Sequence, residues 1–241
     1  MRTPMSTAAP HPGVSLVAAL LLAAACAQAQ QAPALPQGTR AGPWVDLLAG
    51  DASAWRGYKA ATLPAGWRFD AATGILTRVS AADDIVTKAQ YGDFELELEW
   101  RVGPKGNSGV FYRAGEGTER IYENAPEMQI LDNVGHRDGL NPKTSAGSNY
   151  ALNAPVADVT RPAGEWNRAR IVAIGAHVEH WLNGTKVVEY ELWSDAWKAG
   201  VAASKFNEWP TYGLAKRGHI GLQDHGDVVS FRNIRIRELT R

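Results

Sequence analysis

Glu127 and Gln129 stand two apart in Glu127-Met128-Gln129-Ile130-Leu131-Asp132, and on an extended chain that spacing sends both to the face opposite Met128 and Ile130. An acid beside an amide can move a proton and hold a hydroxyl in one place. The same parity in Gly109-Val110-Phe111-Tyr112-Arg113 turns Val110 and Tyr112 inward and Phe111 and Arg113 outward. Near the end of the chain it turns Ile220 and Leu222 inward and Gln223 and His225 outward. If these strands are neighbours, one surface gathers Glu127, Gln129, Arg113, Gln223 and His225. Such a set suits a sugar: amides and Arg match vicinal hydroxyls, a carboxylate and an imidazole can exchange protons, and aromatic rings stack on pyranose faces. The bland alternative is an ordinary solvated sheet face, which alternation alone favours.

The elements that must hold these residues read as strands. Phe94-Glu95-Leu96-Glu97-Leu98-Glu99-Trp100-Arg101 has every second residue apolar, the pattern of a strand with one buried and one solvated face. Asn183-Gly184, between His180-Trp181-Leu182 and Lys186-Val187-Val188, supplies the two positive-φ positions of a type I′ hairpin turn. In the last strand the apolar parity shifts between Phe231 and Ile234, so a β-bulge is expected near Arg232-Asn233. One stretch reads as helix, with Ser194 as cap, Asp195 in the first turn, and Trp197 and Val201 four apart on one face. Short strands, frequent Gly, Asn and Pro turns and no βαβ rhythm give an all-β antiparallel two-sheet sandwich with one short helix. Among the nine tryptophans, Trp67 and Trp100 are read as core, whereas the polar context of Trp166 leaves its role open. The aromatic-rich insertion 191–217 could wall a cleft or pack against the sheet back.

A targeting segment precedes this domain. Arg2 and the apolar run 14–25, too short to span a bilayer, followed by Ala27-Gln28-Ala29, read as a signal peptide over residues 1–29. Residues 30–42 read as a flexible spacer and 43–241 as one domain, exported to the periplasm or secreted. Cys26, the only cysteine, gives a weaker alternative of lipid anchoring, and either way the mature domain has no disulfide. Of 25 basic and 25 acidic residues the leader removes only Arg2, leaving a nearly neutral chain with nothing to steer it toward nucleic acid.

Several motifs together resemble one family. They are Thr87-Lys88-Ala89-Gln90-Tyr91-Gly92-Asp93-Phe94, Gly106-Asn107-Ser108-Gly109-Val110-Phe111-Tyr112-Arg113, the Glu127 to Asn133 strand already quoted, Gly164-Glu165-Trp166-Asn167, Trp181-Leu182-Asn183-Gly184, and Gly221-Leu222-Gln223-Asp224-His225-Gly226 with Phe231-Arg232-Asn233-Ile234. In this order, from about Trp44 to Leu239, they resemble the 3-keto-disaccharide hydrolase family. The resemblance implies a concanavalin A-like jelly roll whose concave sheet binds a glycoside, and action on sugars already oxidised at carbon 3. A 3-keto group acidifies the C2–H, so the glycosidic bond can break by β-elimination, with water then added back. That chemistry needs a base, an acid and donors for an enolate oxygen. For that chemistry we assign Glu127 or His225 as the base at C2, the other as the acid to the leaving oxygen, and Arg113 with Gln129 as carbonyl or hydroxyl donors. Asn107, Asp132, Trp166 and Gln223 complete the implied substrate-binding set, and an oxidising 3-dehydrogenase could act upstream.

No definite cofactor follows from these residues. The loop Asp132-Asn133-Val134-Gly135-His136-Arg137-Asp138 offers oxygen and nitrogen ligands for a divalent metal, against a polar-turn reading of the same residues. Two further readings stand beside the enzyme: a non-catalytic glycan-binding module on the same fold, and a conventional glycosidase, which would want two carboxylates across the bond where this face shows one. Standing alone behind a leader favours the enzyme.

Overall fold

The structure, a computed structural model, describes Met1 and residues 34–241; the signal-peptide and Cys26 expectations fall outside the described residues. In chain order the strands are β1 (Arg40–Ala41), β2 (Val45–Asp46), β3 (Trp55–Gly57), β4 (Trp67–Asp70), β5 (Ile75–Arg78), β6 (Ile85–Thr87), β7 (Phe94–Val102), β8 (Asn107–Ala114), β9 (Glu127–Leu131), β10 (Asn167–Ile174), β11 (His177–Leu182), β12 (Thr185–Glu191), β13 (His219–Leu222) and β14 (Val229–Thr240), with one α-helix, α1 (Asp195–Ala202), between β12 and β13. They form two antiparallel sheets. One runs β12-β11-β10-β7-β14-β5-β4 with β1 and β2 also on β14, and the other runs β3-β6-β13-β8-β9. The all-β sandwich expected from alternation is therefore present, and no helix among the described residues is long and apolar enough to cross a membrane.

The core lies where parity places it. Phe94, Leu96, Leu98 and Trp100 of β7 belong to one buried cluster with Val110, Tyr112, Met128, Ile130, Ile220 and Leu222 of the smaller sheet. Each large side chain so buried contributes about 1.5–3 kcal/mol. Asn183 and Gly184 take φ of 49° and 87° in the β11–β12 turn, and β14 slips register against β7 between Arg232 and Arg235, with Asn233 at φ 52°. Ser194 caps α1 by accepting from the Trp197 amide at 3.1 Å.

Two expectations need correction. The spacer does not run free to residue 42, because Arg40 and Ala41 pair with Thr240 and Leu239 of β14, and Leu35 packs on Val172, Ile174 and Leu239. Nor is the second face of β7 solvated. Glu95 is held by Arg170 Nε at 2.5 Å and Arg237 Nε at 2.6 Å, and Glu97 by Arg168 and Arg235 at 2.9 and 2.6 Å. Both glutamates are buried under these arginines, so a polar stripe in sequence has become an ion-pair ladder. The paired guanidinium groups hold the Glu97 carboxyl below its usual range against the opposing effect of burial.

Removing one member of such a buried set strands the others. Glu95→Ala is expected to cost about 3–5 kcal/mol in denaturant unfolding. Glu99→Ala, whose Arg232 pair is partly exposed, is expected to cost about 0–1 kcal/mol.

Candidate active site

The outer face of the five-stranded sheet carries a small pocket of about 120 Å³ lined by Asn107, Tyr122, Glu127, Gln129, Tyr150, Lys205, Gln223 and His225. Five of the sequence-derived residues, Asn107, Glu127, Gln129, Gln223 and His225, thus meet as expected. They meet because β13 pairs with β8 and β8 with β9, with Gly109 opposite Gln129 and Phe111 opposite Glu127. Gly109 is what makes room. A Cβ built there would lie 1.9 Å from Glu127 Oε1, so any side chain would evict the carboxyl.

Glu127 is only 4% exposed, and among the described residues its carboxyl has no hydrogen-bond partner. Burial therefore pushes its pKa up to about 8; the nearby Asp84 charge adds to this and Lys205 opposes it. Beside it the amide oxygens of Asn107, Gln129 and Gln223 are buried and unpaired. Unpaired buried amides are costly unless something polar joins them. Oxygen donors of this kind suit sugar hydroxyls, and equally a hard cation.

His225 sits on a turn that is clamped from the back. Asp224, of opposite parity, accepts from the Ala82 amide at 2.7 Å and the Gly226 amide at 2.8 Å and pairs with Arg78 at 2.7 Å. The Asp224 amide donates to Asp84 Oδ1 at 2.8 Å, and Ser108 Oγ donates to Gln223 O at 2.8 Å. Gln223 and His225 are therefore presented by a fixed loop, with the His136 ring 6.4 Å from that of His225.

Lys205, Tyr122 and Tyr150 were not foreseen. Lys205 opens a short 3-10 turn, Lys205–Glu208, in the insertion after α1, and its Nζ lies 4.4 Å from the Tyr150 ring centroid and 5.8 Å from that of Tyr122. Burial depresses its pKa, while Glu127 and Asp138 work the other way. The insertion also packs: Trp197 stacks on Tyr190 and Tyr212, and Phe206 on Tyr212 at 3.9 Å. None of the three pocket residues lies on a strand, so alternation could not reveal them.

Three expected residues are elsewhere. Against β13, β8 carries one extra residue between Phe111 and Ala114, and Arg113 adopts φ 52°. This bulge turns its guanidinium away from the pocket, to Gly92 O and Gly175 O at 2.9 Å each and Asp93 at 3.2 Å. Trp166 lies beside the other sheet, between Arg101 and Arg232, whose guanidinium carbons stand 4.7 and 4.1 Å from its ring. Asp132 closes its own loop by accepting from the amides of Lys105, Val134 and Gly135 at 2.8, 3.2 and 3.0 Å. Those three bonds favour the polar-turn reading over the metal loop. Among the described residues one His/Cys/Asp/Glu group has atoms close enough for a metal, His177, Glu179 and Glu189, and Lys186 bridges its two carboxylates.

A larger cleft of about 520 Å³ adjoins the pocket and shares Tyr122, Gln223 and His225 with it. It contains Asp84, whose pKa burial, with the Asp224 and Asp83 charges, raises to about 6. The second carboxylate missing from the strand pattern is therefore present, on the segment leading into β6.

Residues 43–237 match the model of the 3-keto-alpha-glucoside-1,2-lyase-like domain. The chain belongs to this family. A 3-keto-disaccharide hydrolase of Bacteroides thetaiotaomicron is 37% identical over 215 residues, 77% of this chain and 74% of that protein. The crystal structure of a candidate glycosyl hydrolase from Parabacteroides distasonis superposes with a TM-score of 0.76 at 31% identity, over 81% of this chain and 93% of that one. A Bacillus subtilis protein with a galectin-like fold, at 14% identity and a TM-score of 0.57 over 84% of this chain and 99% of that one, supports the fold alone. Family membership places the chain among carbohydrate-cleaving enzymes.

Two consequences of the buried acid can be measured. Gly109→Ala is expected to abolish turnover by displacing Glu127 while leaving the circular-dichroism spectrum of the sandwich intact. Because the folded pKa of Glu127, about 8, exceeds the ordinary 4.5, the folded state binds the proton more tightly, and stability falls as pH rises from about 4.5 to about 8. Glu127→Gln should thus match wild type near pH 4 and be more stable by about 1–4 kcal/mol above pH 8, seen as a higher Tm.

Proposed function

We propose that this chain cleaves 3-keto-glycosides by β-elimination across C1 and C2, followed by addition of water. What carries the reading is the meeting of a small pocket and a larger cleft at His225, with the buried Glu127 deep in the small side. A keto-sugar seated in the pocket puts its C2–H near Glu127 and its glycosidic oxygen at the junction. Glu127, once ionised, takes the C2 proton; its raised pKa makes it a strong base for a carboxylate. Charge then develops on the C3 oxygen, where the Lys205 ammonium and the Gln129 and Asn107 amide N–H groups are suited to receive it. The enolate expels the C1 oxygen, His225 supplies that oxygen with a proton, and an enone remains in the pocket. Addition of water to the enone completes net hydrolysis. Lys205 here takes the place given to Arg113 in the sequence analysis.

The family match and the 37% identical 3-keto-disaccharide hydrolase support this substrate. An oxidation at C3 must come first, so the reaction class upstream is a sugar 3-dehydrogenation. We also propose that the protein acts in the periplasm or outside the cell, on the strength of the apolar run 14–25 and the Ala27-Gln28-Ala29 cleavage pattern. Asp84 favours a second reading, direct hydrolysis by paired carboxylates.

Incubation of the purified chain with a 3-keto-glucoside and its unoxidised parent separates the two. Turnover of the keto compound alone, lost in Glu127→Gln, is the expected result; cleavage of the parent would favour paired-carboxylate hydrolysis, and binding of both without cleavage would favour a glycan-binding module. Where removal of the C2–H limits the rate, the need for an ionised base is expected to raise kcat/KM about tenfold from pH 7 through the Glu127 pKa of about 8.

A further inference from the structure

The larger cleft is polar, and its acids outnumber its cations. Its walls carry the carboxylates of Asp83, Asp84 and Glu119 against the cations of Lys59 and Arg120. Lys59 Nζ donates to Thr118 O at 3.2 Å, which holds that cation at the rim with its charge intact, and the Arg120 charge also acts on Asp84. Asp224, a fourth carboxylate of the cleft, is neutralised from behind by Arg78. By contrast Asp84 has no ion-pair partner within 4 Å among the described residues; its Oδ1 accepts one hydrogen bond, from the Asp224 amide. Its other oxygen is left to the cleft. Tyr58 and Tyr122 supply ring surface on the same walls, and the cleft opens into the pocket through Tyr122, Gln223 and His225.

We infer that this cleft receives the leaving half of the substrate, and that Asp83 and Asp84 restrict it to a neutral or amino sugar while rejecting one that bears a carboxylate. The inference rests on the proposed function, because it takes the pocket as the seat of the keto-sugar and the His225 junction as the place of the glycosidic oxygen. The chemistry is direct. Carboxylate oxygens accept from sugar hydroxyls or from an ammonium at little cost. A uronate in the same place would set like charges side by side, at the partly buried Asp84 and the exposed Asp83, where salt can screen the repulsion. Aromatic walls add stacking for a pyranose ring and do not distinguish the three.

The test separates this selection from the reaction itself. Three unoxidised disaccharides, alike in the first glucose and differing in whether the second sugar is glucose, glucosamine or glucuronate, are titrated by calorimetry into the full chain at neutral pH. The glucose and glucosamine compounds are expected to bind about tenfold or more tighter than the glucuronate compound, with the gap shrinking in high salt. In Asp84→Asn, which keeps an acceptor for the Asp224 amide, and in Asp83→Asn, an exposed position where folding is not at stake, the gap is expected to narrow to about threefold or less. Equal affinity for all three, no binding by any, or a gap unchanged in both variants overturns the inference. Failure of the proposed function would appear elsewhere, as absence of turnover of the 3-keto compounds by the unsubstituted chain.

Discussion

A nearly buried carboxyl group that has, among the described residues, neither a cation in contact nor a hydrogen bond is the constraint on which the site is built. Glu127 can occupy that position only because Gly109, diagonal to it across the β8–β9 ladder and two residues from its partner Phe111, has no side chain to fill the space. Everything else around it follows from the need to make such burial tolerable and useful: three amides with free oxygens, a lysine near enough to pull on the charge but not to neutralise it, and an imidazole on a clamped turn. The contrast with the opposite sheet makes the point physically. Glu97 is buried to a similar degree, yet its two arginines hold it ionised. The same residue type on the two faces of one sandwich is a structural anion on one and a proton-holding group on the other, and the neighbours alone decide which.

How much of this was legible in the sequence divides along the period of the strands. Within the regular strands alternation gave direction correctly, Glu127 and Gln129 outward, Met128 and Ile130 inward, and the extra residue of β14 near Asn233, but not the burial of Glu95 and Glu97. Even the back-facing role of Asp224 follows from its parity. Arg113 fails for a definite reason, since one inserted residue reverses every side chain after it and nothing in Val110-Phe111-Tyr112-Arg113 marks the slip. Left-handed backbone at a non-glycine position is seldom announced by the residue itself.

The other failures come from chain that has no period. Lys205, Tyr122 and Tyr150 reach the pocket from connections, where tertiary contacts set direction. Asp84 precedes β6 by one residue and was not singled out in the sequence, since which of the adjacent acids Asp83 and Asp84 turns inward depends on where the neighbouring Asp224 turn lies, a contact 140 residues away in the chain. Trp166 and Asp132 show the converse error. Their motifs are of a kind that binds sugars or metals, and the fold uses them to cover a sheet and to close a loop.

The position of Lys205 outside both sheets carries an evolutionary consequence. The ladder that seats Glu127 cannot be altered without disturbing the core, whereas the connection from β12 to β13 is anchored by its own stack of Trp197, Phe206 and Tyr212 and could lengthen, shorten or be exchanged as a unit. A lineage could thus keep the same proton-transfer apparatus while trading the cation above it for another group, and diversification of chemistry on this scaffold would be recorded in that connection while the strands stay nearly constant.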